Sequence, residues 1–556
     1  MDALNGWLER SPRLAGLLDD HLRNLTAPKV LLAFLAVFAS SRVLAYFRNL
    51  KIMNYVPGLR PLFHPLWFPG AFLPSTWWNM GIRYPWNNRT TLYKRFRSEV
   101  ISLVPLISGD PSFYTNNLDV ARQVIVGGHK TSFVKPEYAS RILLLWGMNL
   151  LAADGEMWRK HRRILGPAFS NKLYEYVWNE SVQTFKEMVS NDGWSNKKSI
   201  DVPVLQRTTF KFALFIIGKC GFGFPFVWSE PPTAPDGTMT IQEALRLTTD
   251  AFLTMIMVPK WVFKLPIKSL RKLQAARDQL TDFMQSQVEE KRKDLRNGMS
   301  VRDDVFTRLV QANENEESKY RLSDEELVSS LCFVQLGKQI GNVFIMLFAG
   351  HETTAHTLAA TIGFMAYFAE IQEEVHEHIV SVIGRSHDPT WDDFSKLDKV
   401  TAVFLESLRL FPSGHVMIRE AREDTVLNIP GSDGDEGTRT IPIVKGTQVV
   451  VDMIGVQYNP RYFDEPEKFK PSRWHGVPAE SEAFTAFSVG PRACLGRKFG
   501  MTEAIAFLTM LMREWRVEPL LSVGETKEQW RERVLDAELV ITLGVSDMPV
   551  RFVKRD

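Results

Sequence analysis

The sequence predicts one large, mainly α-helical domain with a minor β part, preceded by an N-terminal membrane anchor. Three observations carry this. Helical periodicity recurs over 157–187, 242–257, 267–296, 323–380 and 497–515. β-rich segments are few and short. Near the N-terminus an unbroken apolar run, 30–39, continues past Ser40, Ser41 and Arg42 to Phe47.

Taken in order, residues 1–29 place Leu14, Leu18, Leu22 and Leu25 at helical spacing with Asp19, Asp20 and Arg23 between them, a pattern suited to a short helix lying on a membrane surface. The span 30–47 is 18 residues, slightly under the roughly 20 that a bilayer core requires, and Arg42 would snorkel toward one face. No small-residue cleavage site follows it, so it reads as an anchor rather than a cleaved signal. Arg42, Arg48, Lys51 and Arg60 put the downstream side in the cytosol, although Arg10, Arg13, Arg23 and Lys29 blur the bias. Residues 48–80 carry Pro57, Pro61, Pro65, Pro69 and Pro74, too dense for helix, and read as a stiff connector. Its aromatic residues Trp67, Phe68, Trp77 and Trp78 suit either a membrane interface or a core. Residues 81–556 form the main domain. Within it 425–429 and 440–443 flank a Gly/Asp-rich turn as a hairpin, and 447–451 and 539–543 read as strands.

Composition narrows the function. The chain has 556 residues, 45% hydrophobic, ample for a large core. Net charge is only +3, so no global basic field points to nucleic acid. Its 3 cysteines, Cys220, Cys332 and Cys494, show no C-x-x-C spacing, which argues against a disulfide framework or a zinc site.

The most informative stretch is Phe487-Ser-Val-Gly490-Pro-Arg492-Ala-Cys494-Leu-Gly496, just before the helical run 497–515. A thiol at a helix N-terminus meets unpaired N–H groups and the positive end of the dipole. With Arg492 and Arg497 nearby, the expectation is a thiolate, and a lone thiolate serves as a nucleophile or a metal ligand. An arbitrary lone cysteine is more often a small buried hydrophobe. The five fixed positions around Cys494 argue against that here.

This segment resembles the haem-binding signature of the cytochromes P-450, and with it the whole domain is identified as similar to that family's haem-thiolate fold. The resemblance implies haem b with Cys494 as the axial iron ligand, Arg492 on a propionate and Phe487 packed beneath the ring. Four further constellations extend it in the same order along the chain. Trp158-x-x-x-Arg162 would hold haem propionates from one helix face, and Arg419 would supply a third propionate contact. Glu406-x-x-Arg409, with Arg473 from the segment 466–474, would form a buried structural lock. Gly341 to Phe348 is apolar nearly all round and runs into Ala349-Gly350-His351-Glu352-Thr353-Thr354, which resembles the family's oxygen-binding helix. There Gly350 would leave room above the iron, Thr353 would meet the oxygen to be activated, and Glu352 would relay protons. The local alternative is that Thr353 merely bonds a carbonyl one turn back. Basic clusters at 159–163 and at Arg497-Lys498 would steer an acidic electron donor.

One departure stands out. The family pattern runs directly from a segment like 322–327 into 340–344, whereas here twelve residues, 328–339, intervene. They read either as a retained intron, since the stretch runs from Val to Gln, or as an insertion looped out of the helix start; mature transcripts containing the 36 bases would exclude the intron.

The implied function is a membrane-anchored haem-thiolate monooxygenase of fungal secondary-metabolism style. It would insert one atom of O2 into a lipophilic small molecule, terpenoid or sterol-like, with electrons from an NADPH-dependent flavoprotein reductase. Its place would be the endoplasmic reticulum membrane, single-pass, with the domain in the cytosol. The alternatives are a haem-thiolate isomerase or dehydratase that does not use O2, and a non-catalytic haem sensor.

Overall fold

The computed structural model describes residues 26–555, apart from 77, 126–131, 142, 145–146, 232, 234–236, 260, 298–303, 315–336, 432–436, 478–483 and 540. The amphipathic segment expected within 1–29, Cys332 and most of the twelve-residue departure therefore lie outside the described residues.

The chain divides into two compact units, 1–84 with 101–113, and 85–100 with 114–556. In the smaller unit, helix α1 (Ala27–Ile52) has 26 residues and a mean hydropathy of 2.0 over its most apolar window, with none of that window buried. At 1.5 Å per residue it is about 39 Å long, enough to cross a bilayer. The helix thus outruns the expected span 30–47 at both ends, because Pro28 suits the first turn and Lys51 the last. Arg42 donates to the carbonyl of Ile107 and lies over the Phe38 ring. Where a stiff connector is expected, 53–80 instead turns repeatedly and pairs Gly58 and Leu59 in parallel with Ser102 and Leu103. Met53, Val56, Leu59, His64 and Met80 are buried. Apolar burial overrides the proline pattern there.

In the larger unit the helices relevant to the site are α2 (Gly155–Leu165), α3 (Asn171–Asn191), α4 (Leu205–Ile216), α5 (Ile241–Asp250), α6 (Lys268–Arg296), α7 (Gly337–Tyr367), α8 (Ala369–Ile383), α9 (Asp398–Leu410) and α10 (Arg497–Glu514). The periodic run 157–187 is two helices, because Pro167 cannot extend α2 and Ser170 caps α3 by accepting from the Leu173 N–H. The run 242–257 likewise breaks after Asp250. Helix α7 starts inside the twelve-residue departure, at Gly337.

Helix α7 packs against α4, α9 and α10. Val343, Phe344, Ile345, Leu347, Phe348, Leu358 and Ile362 are all buried, as its all-round apolar character predicts. Each such side chain stabilises the fold by about 1.5–3 kcal/mol relative to exposure. Phe252 stacks on Phe344 and Phe348 at centroid distances of 5.8 and 4.7 Å. Helix α10 is buried from Met501 to Arg513.

The β part is small. Strand Val416–Ala421 pairs antiparallel with Gln448–Asp452 on one side and with Phe133–Val134 on the other. The expected hairpin is present as Thr425–Pro430 with Thr438–Ile443. Of residues 539–543, expected as one strand, Leu539 instead ends the strand Ala537–Leu539 and Leu543 begins its antiparallel partner Leu543–Val545. A third sheet joins Trp515–Pro519, Val550–Lys554 and Ser199–Val202.

Candidate functional site

Cys494 sits in the loop just before α10. Its N–H donates to the Phe487 carbonyl at 2.8 Å, which folds the signature back on itself. Ser488, in the left-handed region at φ 64°, makes that reversal. Cys494 opens onto a cavity of about 460 Å³ walled by α7 (Ile345, Met346, Ala349, Gly350, Thr353), by strand Val416–Ala421 and by the signature loop. By surface area the residue counts as exposed, but the surface faces this cavity while protein encloses the thiol. Enclosure governs its titration. Burial pushes the Cys494 thiol up, and the Gly496 N–H, Arg162 and Arg497 oppose that without overcoming it. The helix N-terminus and nearby arginines thus act toward the thiolate as expected, against the desolvation of the thiol, and ligation to iron would complete the deprotonation.

At the α2 side of the cavity, cations converge. Arg492 donates to the Ala153 carbonyl at 3.0 Å, pairs with Asp154, and lies 4.6 Å over the Trp158 ring. Arg162 donates to the Ala493 carbonyl at 3.1 Å. Arg419, nearly fully buried, is held down to about 10 by burial and then by Arg492, with Asp154 opposing. Lys135, which sequence reasoning missed, joins them and is held down to about 7 by burial, then Arg492 and Arg419. A lysine before a proline carries no local signal, and only the fold brings it here.

Lys135, Arg162, Arg419 and Arg492 thus line the cavity with a single acidic residue, Glu503, whose carboxyl burial pushes well up toward the neutral form, while Asp154 pairs with Arg492. Such an excess of half-buried positive charge suits a ligand with two carboxylates, and a thiol faces the same space. The residues present fit the haem that the resemblance implies.

Phe487 lines the cavity, with Arg497 5.3 Å over its ring. Gly350 lines it too, but its bare face meets Ile217: an added Cβ would lie 3.1 Å from Ile217 Cγ1. Close packing against 217–221 is therefore a reason for glycine that the sequence did not show. Thr353 lines the cavity and donates to the Ala349 carbonyl at 2.9 Å, the local back-bond. Its oxygen keeps its acceptor sites. Glu352 does not line the cavity. It turns to Thr542, whose hydroxyl donates to Oε1 at 2.7 Å. Burial pushes the Glu352 carboxyl up to about 7, Asp250 adds to that, and Thr542 opposes it.

The start of α7 is fixed by Asn342, which accepts the Leu150 N–H at 2.8 Å and meets His161 Nδ1 through its amide nitrogen at 2.9 Å. His161 and Arg162 thus turn inward and leave the expected basic face to Arg159, Lys160, Arg163 and Lys498, with Arg159 paired to Glu156.

Glu406, Arg409 and Arg473 come together, Arg409 from the same helix face and Arg473 from the segment 471–474. Arg409 makes a two-pronged contact with Glu406, both bonds 2.9 Å, and Arg473 Nε reaches Oε1 at 3.0 Å. Two further donors were not foreseen: the Trp474 indole at 2.8 Å and the Lys470 N–H at 2.9 Å. Trp474 packs edge-on against Phe484, and Phe484 against Phe487, which links the lock to the signature loop. Among the described residues no group of three or more His, Cys, Asp or Glu could hold a metal ion.

Comparison with known proteins agrees with this geometry. The family model for Cytochrome P450 matches residues 74–539. Cytochrome P450 monooxygenase 124 of Postia placenta is 33% identical over 513 residues, covering 91% of this chain and 95% of its own. Cytochrome P450 monooxygenase prx9 of Penicillium rubens is 24% identical, covering 83% of each chain. A crystal structure of the cytochrome P450DA heme domain superposes with a TM-score of 0.67 at 21% identity, covering 90% of this chain and 98% of that one, and so shares the fold. The match over most of the length, with a thiol and a ring of cations on one cavity, establishes that this chain belongs to the cytochrome P450 family and is a haem-thiolate monooxygenase.

Proposed function

We propose that the enzyme oxygenates a lipophilic small molecule, terpenoid or sterol-like, at the Cys494 cavity. The observation that carries this is the cavity's division into a cationic side (Lys135, Arg162, Arg419, Arg492) and apolar walls (Leu143, Leu150, Ile217, Ile345, Met346, Val416). A relative, 28% identical, is named cyclooctat-9-en-7-ol 5-monooxygenase, from Streptomyces melanosporofaciens.

When bound, the haem supplies the iron at which O2 is cleaved. The chain's own residues do the rest. Cys494 would ligate the haem iron and donate electron density from sulfur. Arg162, Arg419, Arg492 and Lys135 would hold the haem's two carboxylates, with Trp158 beside them. Phe487 shields the sulfur from water. The apolar walls exclude solvent, which strengthens each polar contact inside. Thr353 presents a hydroxyl to the cavity, and Glu352, titrating near neutrality, takes protons from the solvent side and passes them inward. The Glu406–Arg409–Arg473 lock holds the loop and has no chemical part. Electrons come from an NADPH-dependent flavoprotein reductase that docks on Arg159, Lys160, Arg163 and Lys498. Helix α1 anchors the enzyme in the endoplasmic reticulum membrane, with the catalytic unit in the cytosol.

Reconstitution with such a reductase, NADPH and 18O2 over a panel of terpenoid alcohols, sterols and fatty acids tests this reading. One labelled oxygen atom in a terpenoid or sterol product is expected. Turnover confined to fatty acids would overturn the substrate class.

A further inference from the structure

The reading of Glu352 as the proton relay leaves open what sets its carboxyl in place, since it does not face the cavity. The paired strands Ala537–Leu539 and Leu543–Val545, with Thr542 before the second, meet α7 at two points directly and at a third through Ser413. Thr542 donates to Glu352 Oε1 at 2.7 Å. Leu543 N–H donates to the Ser413 carbonyl at 3.0 Å, and Ser413 Oγ reaches the Thr353 carbonyl at 3.5 Å, the outer limit of a hydrogen bond. Gly544 lies so close to His356 that an added Cβ would fall 2.1 Å from Nδ1. Glu352 and His356 are four apart and share one helix face. Glu352 Oε2 and His356 Nδ1 are both buried without a hydrogen-bond partner among the described residues. One carboxyl oxygen is thus tied to Thr542, and the other is left to exchange a proton.

We propose, resting on that relay reading, that Thr542 is a positioning residue for Glu352, fixing its carboxyl so that proton delivery depends on the strand pair being seated on α7. The groups acting on the carboxyl are Thr542 and Asp250 from α5, while His356 shares its helix face and is influenced by His351. Asp250 is itself paired with Arg246 at 2.7 Å, and Arg246 with Glu243, so the outer end of this group reaches the exposed face of α5. His356 stays neutral, because burial holds its pKa down to about 4. It is therefore neither a fixed cation beside Glu352 nor a base strong enough to take its proton. Among these groups Thr542 is the donor whose loss destabilises the ionised carboxylate.

The test is an infrared titration of the haem-loaded full chain, with the Glu352 carboxylic-acid band assigned by its loss in Glu352→Gln. The parent band should titrate near 7. Thr542→Val removes the donor at constant shape and should raise that midpoint by about one pH unit. Thr542→Ser should hold the parent value. Thr542→Ala repeats the test if the valine variant does not bind haem. A Thr542→Val or Thr542→Ala midpoint equal to the parent's overturns the proposal. The relay reading fails separately: peroxide released per NADPH, measured with the reductase and no added substrate, should rise several-fold in Glu352→Gln. An unchanged ratio there overturns the relay and the proposal with it, whereas a changed ratio with an unmoved Thr542→Val band overturns Thr542 alone.

Discussion

Arg162 Nη1 donates to the carbonyl oxygen of Ala493 at 3.1 Å, joining α2 to the residue before Cys494. The bond spans 331 positions of chain, so one guanidinium both faces the cavity and ties the cysteine loop to α2. Charge-assisted bonds of this kind contribute about 1.5–3 kcal/mol. Arg162→Ala should therefore weaken haem retention by about tenfold or more. Arg162→Lys, which keeps the charge but not the planar fork, should fall between. The Soret-to-protein absorbance ratio after gel filtration checks this. Equal ratios in parent and Arg162→Ala would contradict it.

Glu406 is fully buried with four donors on its two oxygens from Arg409, Arg473, Lys470 and Trp474, and Arg409 alone gives two bonds. Trp474→Phe removes one donor to a buried carboxylate and should cost about 1.5–3 kcal/mol. Glu406→Ala strands two arginines and should cost about 3–5 kcal/mol. Urea unfolding midpoints would show that order. A Trp474→Phe protein as stable as the parent would remove Trp474 from the lock.

His161 is buried between α2 and Asn342, and burial holds its pKa down to about 4 from 6.5, with Lys160 adding to that and Asn342 opposing. The folded state therefore binds this proton less readily than the unfolded chain. The stability it contributes is complete above pH 6.5 and is lost as pH falls toward about 4. Relative to the parent, His161→Gln should lack that loss, a differential of about 3 kcal/mol across the window. Urea midpoints of both proteins at several pH values would show the two curves converging in acid. Parallel curves would contradict the assignment.

Much of the site is legible in the sequence because its chemistry comes in short local patterns. The loop from Phe487 to Gly496, the pair Glu352-Thr353 and Glu406-x-x-Arg409 each lie within ten positions. What is not legible depends on distant chain segments. Lys135 carries no periodic or motif signal, and Trp474, although it ends the segment 466–474, shows its bond to Glu406 only once tertiary packing aims it there. The burial that opposes the Cys494 thiolate is not visible in the sequence, because dipole and charge are local whereas burial is a property of the whole fold. Gly350 has a cause that sequence cannot show, the nearness of Ile217. The segment 48–80 reads as a connector because proline excludes helix, yet proline is equally at home in packed turns.

The reduced, carbon-monoxide difference spectrum of the full chain in membranes, beside that of Cys494→Ser, tests the central claim most directly. The account predicts a thiolate-type Soret band in the parent and its loss in the variant. A parent that binds haem with a thiol- or imidazole-type band, or a thiolate-type band that survives in Cys494→Ser, would contradict it.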